Sequence, residues 1–310
     1  MSVLVAGSTG LAGSAITAAF ENQGREVIRV HRGVVDLMDL NATRKFLRET
    51  KPALVVDAAA KVGGIGANNS FPVEFLVDNI RIQSNLMQAA HEAKVRDFVF
   101  LGSSCIYPRN CLQPIKEEYL LTGPLEESNS AYAIAKIAGI ELVKSYRKQY
   151  GARWISLMPT NLYGPKDNYN LETSHVLPAF IRRFVEASAS ATPSITLWGS
   201  GTPFREFLHV DDLARAVVLA VEKYDASMHL NVGSGEDIPI KELAYLVASL
   251  SEFKGEIKWD ARKPDGTPRK VLDVSRIKAL GWEPTITLEQ GILSTIAWYR
   301  EASTKGEVRL

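Results

Sequence analysis

Short apolar runs alternate with longer amphipathic stretches through the first half of the chain. Runs at 3–6, 27–30, 54–57, 98–101 and 154–158 predict strands, and stretches at 11–23, 42–49, 72–93 and 131–150 predict helices. Strands that are apolar throughout, rather than alternating, are buried on both faces. Their succession with helices predicts an α/β fold built on a parallel sheet covered on both sides. The second half is less regular. Ordered segments are expected at 176–189, 195–198, 211–224, 229–232 and 239–250, with a last helix near 288–300. Stretches 165–174, 199–205 and 263–270 are rich in Gly, Pro and polar residues and read as loops. The expected division is a first domain over 1–162, with 206–232 returning to it. Residues 163–310 would mainly form a smaller, mixed α/β, substrate-binding domain over the sheet's C-terminal edge.

Composition narrows the function classes. A chain of 310 residues can bury a sizeable core without staples. Lys and Arg total 36 against 35 Asp and Glu, so no general nucleic-acid or membrane surface is expected, and an anionic ligand must be met by locally placed cations. Cys105 and Cys111 are the only cysteines, which argues against a disulfide framework. The first residues enter a strand without a basic leader, and no apolar run approaches a membrane span. A soluble, reducing, cytoplasmic setting is the expectation. His31, His91, His209 and His229 form no ligand spacing with the cysteines, so no metal is expected.

Gly7-Ser-Thr-Gly10-Leu-Ala-Gly13 follows the first strand and opens a helix. Glycines there allow a tight turn and close approach of backbone to a pyrophosphate, and the helix start offers unpaired N–H groups. The spacing is G-x-x-G-x-x-G, and its place between strand and helix gives it weight. It makes the predicted fold a Rossmann-type doubly wound sheet. The second strand ends Val30-His31-Arg32-Gly33, where an NAD site usually has an acidic group. A basic Arg32 suits a 2′-phosphate and favours NADP, although a solvated arginine would look the same. Asp36-Leu37 suits either the adenine edge or a helix start.

Tyr132 and Lys136 stand four apart on one predicted helix and share a face. A nearby ammonium is expected to favour the tyrosinate and lower the tyrosine pKa, making Tyr132 a proton donor and acceptor near neutrality. Ser103, at the end of the fourth strand, can bond the same substrate oxygen. Together they predict hydride transfer to or from a carbonyl. Cys105 is not needed for that and hints at a second reaction. In extended geometry its side chain would point the same way as that of Ser103.

The chain resembles the extended short-chain dehydrogenase/reductases. The matching segments are Ala58-Ala-Ala-Lys-Val-Gly-Gly-Ile-Gly-Ala-Asn-Asn69, Gly102-Ser-Ser-Cys-Ile-Tyr-Pro108, Tyr132-Ala-Ile-Ala-Lys-Ile-Ala-Gly139, Pro159-Thr-Asn-Leu-Tyr-Gly-Pro165, Trp198-Gly-Ser-Gly-Thr-Pro-Phe-Arg-Glu-Phe-Leu-His-Val-Asp-Asp212 and Lys263-Pro-Asp-Gly-Thr-Pro-Arg-Lys270. The cysteine-bearing and last segments are those of the branch that epimerises C3 and C5 of GDP-4-keto-6-deoxymannose and reduces its C4 ketone. The resemblance implies NADPH as cofactor and a GDP-sugar as substrate. It implies a cofactor site formed by Gly7, Ser8, Thr9, Gly10, Leu11, Ala12, Gly13, Arg32, Leu101, Gly102, Ser103, Ser104, Lys136, Pro159, Thr160, Asn161, Leu162 and His175. It implies proton exchange at C3 and C5 by Cys105 and His175, and substrate contacts by Arg183, Trp198, Arg205 and Asp265.

Bland alternatives stand beside these. Arg182 could turn inward instead of Arg183, Trp198 could be a core aromatic, and Arg205 could pair with Glu206. His209-Val-Asp-Asp212 reads as a brace and helix start capped by Asp. Some relatives carry a basic residue where this chain has Ser8-Thr9, which leaves Arg32 with more of the 2′-phosphate. The competing functions are a nucleotide-sugar 4-epimerase or 4,6-dehydratase, and a non-catalytic NADPH-binding scaffold. Homodimers through the helices bearing Tyr132 and residues 72–93 are an expectation from the resemblance. Ile134, Ile137 and Val143 could serve such an interface or face the sheet.

Overall fold

The structure is a computed structural model that describes residues 2–262 and 265–310; Lys263 and Pro264 of the Lys263–Lys270 motif lie outside the described residues. The first half runs β1 (Val3–Ala6), α1 (Leu11–Asn22), β2 (Val27–Val30), α2 (Leu40–Thr50), β3 (Leu54–Asp57), α3 (Ile65–Ser70), α4 (Pro72–Glu92), β4 (Asp97–Leu101), α5 (Ser130–Tyr150) and β5 (Arg153–Pro159). The second half runs β6 (Asn161–Tyr163), α6 (Val176–Ala189), β7 (Ser194–Trp198), β8 (Phe204–His209), α7 (Val210–Lys223), β9 (Leu230–Val232), β10 (Asp237–Pro239), α8 (Ile240–Leu250), β11 (Glu256–Asp260), β12 (Arg269–Lys270), α9 (Ser275–Ala279) and α10 (Leu288–Lys305).

Six parallel strands form the central sheet in the order β2-β1-β3-β4-β5-β9. Every residue of β1, β3 and β4 is buried, as strands covered on both faces require. Chain direction across the sheet reverses between β1 and β3, so the crevice at their C-terminal ends is where a ligand of this architecture binds. α7 packs on α1 and β9 pairs with β5, which returns part of the second half to this sheet. β8 instead joins β10, β12 and β6 in a second sheet, and β7 pairs with β11. A second apolar core lies there, around Tyr163, Tyr169, Phe180, Phe184, Leu243 and Ile292.

Helix boundaries follow local chemistry. α2 begins at Leu40, two residues earlier than expected, because Asp39 caps it by accepting from the N–H groups of Asn41 (2.8 Å) and Ala42 (3.1 Å). Asp36 accepts from Met38 N at 2.9 Å, so the acid-rich segment does lead into a helix. α4 opens on Pro72, whose missing N–H costs nothing in the first turn. The α7 cap departs from expectation. His209, not an aspartate, is the N-cap, and its Nδ1 accepts from Asp211 N at 3.3 Å. Asp212 is fully buried and accepts from Thr285 N, Thr285 Oγ1 and Ile286 N, tying α7 to the approach to α10. The α5 face also divides. Val143 is buried and Ile137 packs against the core, while Ile134 is 49% exposed.

Candidate active site

The glycine turn has the shape needed to hold a phosphate by backbone. Gly7 has φ +77°, and a Cβ there would lie 2.7 Å from Ala58 O. A Cβ on Gly13 would collide with Gly7 O, so the first turn of α1 can approach the loop only without a side chain. Gly10 caps α1 with no side-chain hydrogen bond, leaving the first-turn N–H groups to a ligand. These features fit a dinucleotide pyrophosphate. Ser8 faces the other way: its Oγ donates to Val30 O at 3.1 Å and its N–H bonds the same carbonyl at 3.0 Å. That hydroxyl braces β2. Thr9 and Arg32 are exposed beside the turn, and His31 Nδ1 accepts from Gly33 N at 3.1 Å.

Asp57 was not singled out from sequence. It ends β3 directly behind this turn, pairing in register with Ala6. It is buried, one oxygen accepts from Ala59 N at 3.2 Å, and the other has no hydrogen-bond partner among the described residues. Burial pushes its carboxyl up to about 6, against the opposing pull of the Lys136 charge.

The strand-end serine, the tyrosine and the lysine come together between β4 and α5. Lys136 Nζ donates to Leu101 O at 2.9 Å and lies 4.8 Å from the Phe100 ring centroid and 5.9 Å from that of Tyr132. Burial lowers its ammonium to about 8, and the Asp57 charge resists that fall. Tyr132 packs edge-on against Phe75 at 6.2 Å and hydrogen-bonds the Ser103 side chain. The expected fall in the tyrosine pKa is not what the site produces. Burial pushes Tyr132 well up, a Cys105 charge would add to the rise, and the Ser103 bond opposes it. The lysine does not reverse this: its nitrogen is bonded to the Leu101 carbonyl and sits nearer the Phe100 ring than the Tyr132 ring.

The expected extended geometry at Cys105 is also corrected. After β4 the chain turns into a short 3₁₀ helix, Ser104–Ile106, with Ser103 as its cap; Ser103 Oγ accepts from Cys105 N at 3.3 Å. Cys105 nonetheless packs on the small cluster of Ala67, Phe75 and Tyr132. Asn129 Nδ2 and Lys270 Nζ each lie 3.5 Å from its sulfur. Both cysteines are free thiols. Burial pushes Cys111 up, and its strongest sulfur contact is a long 4.0 Å bond from Gln113.

His175 is the N-cap of α6, held by a loop whose Thr173 carbonyl accepts from Gly64 N at 2.8 Å. The residue is exposed at the surface. Partial desolvation lowers the imidazole below its usual range, and the Lys270 charge lowers it further.

The remaining residues expected at the cofactor and substrate are distributed as follows. Gly102 N bonds Leu157 O, Ser104 is buried, and Thr160 N bonds Val232 O beyond Pro159. Asn161 Nδ2 (2.7 Å) and Thr160 Oγ1 (3.4 Å) both donate to Glu206 O, so these side chains brace β6 against β8. Arg183 Nη1 reaches Thr196 O on β7 at 3.1 Å, whereas Arg182 bonds Glu186 and Tyr169 O. Arg183 is therefore the one turned toward the strand of Trp198, which is 58% exposed and no core aromatic. Arg205 does not pair with Glu206; it donates to Phe204 O (2.7 Å) and Asp265 O (3.4 Å). The Asp265 carboxylate accepts from Ser200 N (2.7 Å) and Ser200 Oγ (2.8 Å), which clamps two loops together. Among the described residues no His, Cys, Asp and Glu group could hold a metal. A separate cavity of about 490 Å³, lined by Arg48, Lys51, Lys94 and Arg96, opens at the opposite end of the sheet and contains none of this chemistry.

A parallel sheet with a glycine turn at its reversal point, and a serine, tyrosine and lysine at the next strand end, defines a nucleotide-dependent enzyme acting at a carbonyl or carbinol carbon. Residues 3–233 match the model of the NAD dependent epimerase/dehydratase family, and the chain belongs to that family. A putative GDP-L-fucose synthase 2 of Arabidopsis thaliana is 51% identical, covering 96% of this chain and 92% of its own. The GDP-L-fucose synthase of Escherichia coli K12 is 48% identical over 96% of both chains. A solved GDP-L-fucose synthetase from Naegleria fowleri bound to NADP superposes with a TM-score of 0.90, at 29% identity, covering 100% of this chain and 96% of that one.

Proposed function

We propose that the protein catalyses NADPH-dependent 3,5-epimerisation and 4-keto reduction of GDP-4-keto-6-deoxy-D-mannose, giving the GDP-L-fucose for which its relatives are named. The observation that carries this reading is a thiol, Cys105, packed against Tyr132 and bonded by Lys270, a cation whose charge also reaches His175. Reduction alone calls for neither sulfur nor imidazole. The C4 ketone acidifies the C–H bonds at C3 and C5. One of Cys105 and His175 takes the proton, the C–H bond breaks, and its electron pair moves onto O4. Ser103 and Tyr132 stabilise that oxyanion by hydrogen bonds, an effect typically worth a few kcal/mol. The other group returns a proton to the opposite face, which inverts the carbon. NADPH, when bound, supplies hydride to C4, and Tyr132 gives its proton to O4. A phenol held protonated by burial is in the form this step needs. Lys136 keeps positive charge near Tyr132 as the phenolate develops.

The glycine turn from Gly7 to Gly13 would hold the pyrophosphate of the cofactor and Arg32 its 2′-phosphate, with Leu101–Ser104, Pro159–Leu162 and His175 lining the nicotinamide end. Arg183, Arg205, Trp198 and Asp265 would meet the GDP-sugar; the arginines suit its diphosphate and the exposed indole its base. We read the chain as a cofactor-binding part over 1–162, joined by elements of 206–232, and a substrate-binding part mainly over 163–310. A cytoplasmic homodimer is part of the same proposal, with Ile134 as the exposed apolar residue of α5.

The test is incubation with the keto-sugar and NADPH in heavy water. GDP-L-fucose carrying deuterium at C3 and C5 is expected. Cys105→Ser and His175→Gln should each slow deuterium uptake by roughly a hundredfold or more, the usual loss for a proton-transfer group, while cofactor affinity stays near that of the parent. Reduction without uptake would remove the epimerase half. Interconversion of sugars without net NADPH oxidation would indicate a 4-epimerase instead.

A further inference from the structure

Lys270 has no role in the mechanism above, yet it is the cation nearest to its thiol. Its Nζ stands 3.5 Å from Cys105 Sγ, and Asn129 Nδ2 reaches the same sulfur at 3.5 Å from the start of α5. The lysine backbone is held on three sides. Lys270 pairs with Arg205 as β12 joins β8. Ile115 N bonds Val271 O at 2.8 Å, and Leu272 N bonds the buried Glu206 carboxylate at 2.9 Å. A flexible ammonium is thus mounted on an anchored two-residue strand and directed at one sulfur. No carboxylate pairs with it among the described residues.

We propose that Lys270 is a positioning residue for Cys105: with Asn129 it holds the sulfur in the cleft and stabilises it as an anion, so that proton transfer at carbon depends on a cation supplied by the second half of the chain. The inference rests on the reading of Cys105 as a proton-transfer group. Two donors at one sulfur fix its direction as well as its charge, and a charged donor counts for roughly twice a neutral one. The same ammonium contributes to the lowering of His175. One cation therefore faces both proton-transfer groups. Arg205 also acts on the sulfur electrostatically, and Tyr132 faces it from α5.

The experiment uses the full chain with Cys111→Ala, which leaves Cys105 as the only cysteine of two. Iodoacetamide alkylation is followed at pH 7 without substrate. Lys270→Met is expected to slow it about tenfold and Asn129→Ala by a smaller factor, while Lys270→Arg recovers most of the rate. Misfolding would expose the thiol and speed alkylation, so it cannot imitate this result. In heavy water with the keto-sugar, Lys270→Met should slow deuterium uptake at saturating substrate by a similar factor. Alkylation of Lys270→Met at the parent rate would overturn the proposal. So would a variant whose only defect is a raised KM, which would make Lys270 a substrate-phosphate contact. If Cys105→Ser took up deuterium as fast as the parent, the catalytic reading of Cys105 would fall, while the alkylation result would still report on the Lys270–sulfur contact.

Discussion

The two sides of the cleft are built differently. On one side Ser103, Tyr132 and Lys136 sit at the end of a fully buried strand and on a helix packed against it, and Lys136 is fixed by a backbone carbonyl. On the other side His175, Trp198, Arg205, Asp265 and Lys270 ride on helix caps, short strands and loops, and are exposed or half-buried. The first side has its geometry set by the main core. The second has it set by individual hydrogen bonds, such as those of Asp265 to Ser200 and of Glu206 to Leu272. On the proposed mechanism, the oxyanion site shared by reduction and epimerisation belongs to the side set by the main core, and the groups assigned to epimerisation and substrate choice lie mostly at its edge. Robust hydride chemistry with adjustable substrate contacts is what such a division permits.

The largest effect should come from the side set by the main core. Tyr132→Phe removes the hydroxyl that the proposed mechanism uses in both reactions, so reduction and deuterium uptake should both fall, each by roughly a hundredfold or more. The edge on Phe75 and the packing in the small apolar cluster survive the change, so the fold should persist. Stopped-flow NADPH oxidation and deuterium uptake on the same samples check it. Uptake at the parent rate with reduction abolished would show that the oxyanion is held by Ser103 alone, and would sharpen the boundary between the two sides.

Next comes the hydrogen-bond scaffold of the edge. Glu206 is fully buried on β8 and accepts from Gly235 N at 2.7 Å and Leu272 N at 2.9 Å. Burial still pushes its carboxyl up to about 7, with those bonds opposing. Glu206→Ala leaves the buried Leu272 N–H unpaired and removes the acceptor of the more exposed Gly235 N–H, and should cost about 1–3 kcal/mol. The sign of the pH effect follows from the raised folded-state value. The folded form binds this proton more tightly, so the contribution is fully present below the ordinary glutamate range and is lost as pH rises through about 7. Glu206→Gln should flatten that part of the stability curve. Denaturant unfolding between pH 5 and 8 measures both variants. An unchanged slope in Glu206→Gln would mean that the carboxylate is charged in the folded protein.

The same division explains what was legible in the sequence. The five strands of the main sheet read from short apolar runs fall within one residue of their observed limits, because burial on both faces keeps β1, β3 and β4 mostly apolar, and even the edge strand β2 has only Arg29 exposed. β6, β10 and β12 have two or three residues each and carry no period to read. Tyr132, Lys136 and Ser103 were legible because strand end and helix spacing fix them locally. Cys105 was found for its chemistry, but its local backbone was misread, since a 3₁₀ turn replaces the extended chain. Asn129 and Lys270 were missed as partners of that sulfur because 24 and 165 residues separate them from it. Asp57 was missed because it closes an apolar run and looks like a strand end. A carboxylate directly followed by three alanines was the available signal.

Asp57 gives the smallest expected effect and tests whether the glycine-turn side speaks to the catalytic pair. Lys136 is lowered to about 8 by burial, and the charge of Asp57 is what keeps it from falling further. Activity that needs the ammonium should therefore decline as pH rises through about 8. Asp57→Asn keeps the shape and the acceptor for Ala59 N, and the other oxygen has no partner to lose. It removes only the charge. Burial then acts on Lys136 unopposed, so the alkaline limb of the kcat profile should move to lower pH by roughly one unit or less. A limb that stays in place would mean that the two groups are screened from each other once the cofactor is bound. A limb that moves to higher pH would contradict the sign of the interaction, and with it the view that the buried side of the cleft is a single electrostatic unit from Asp57 to Tyr132.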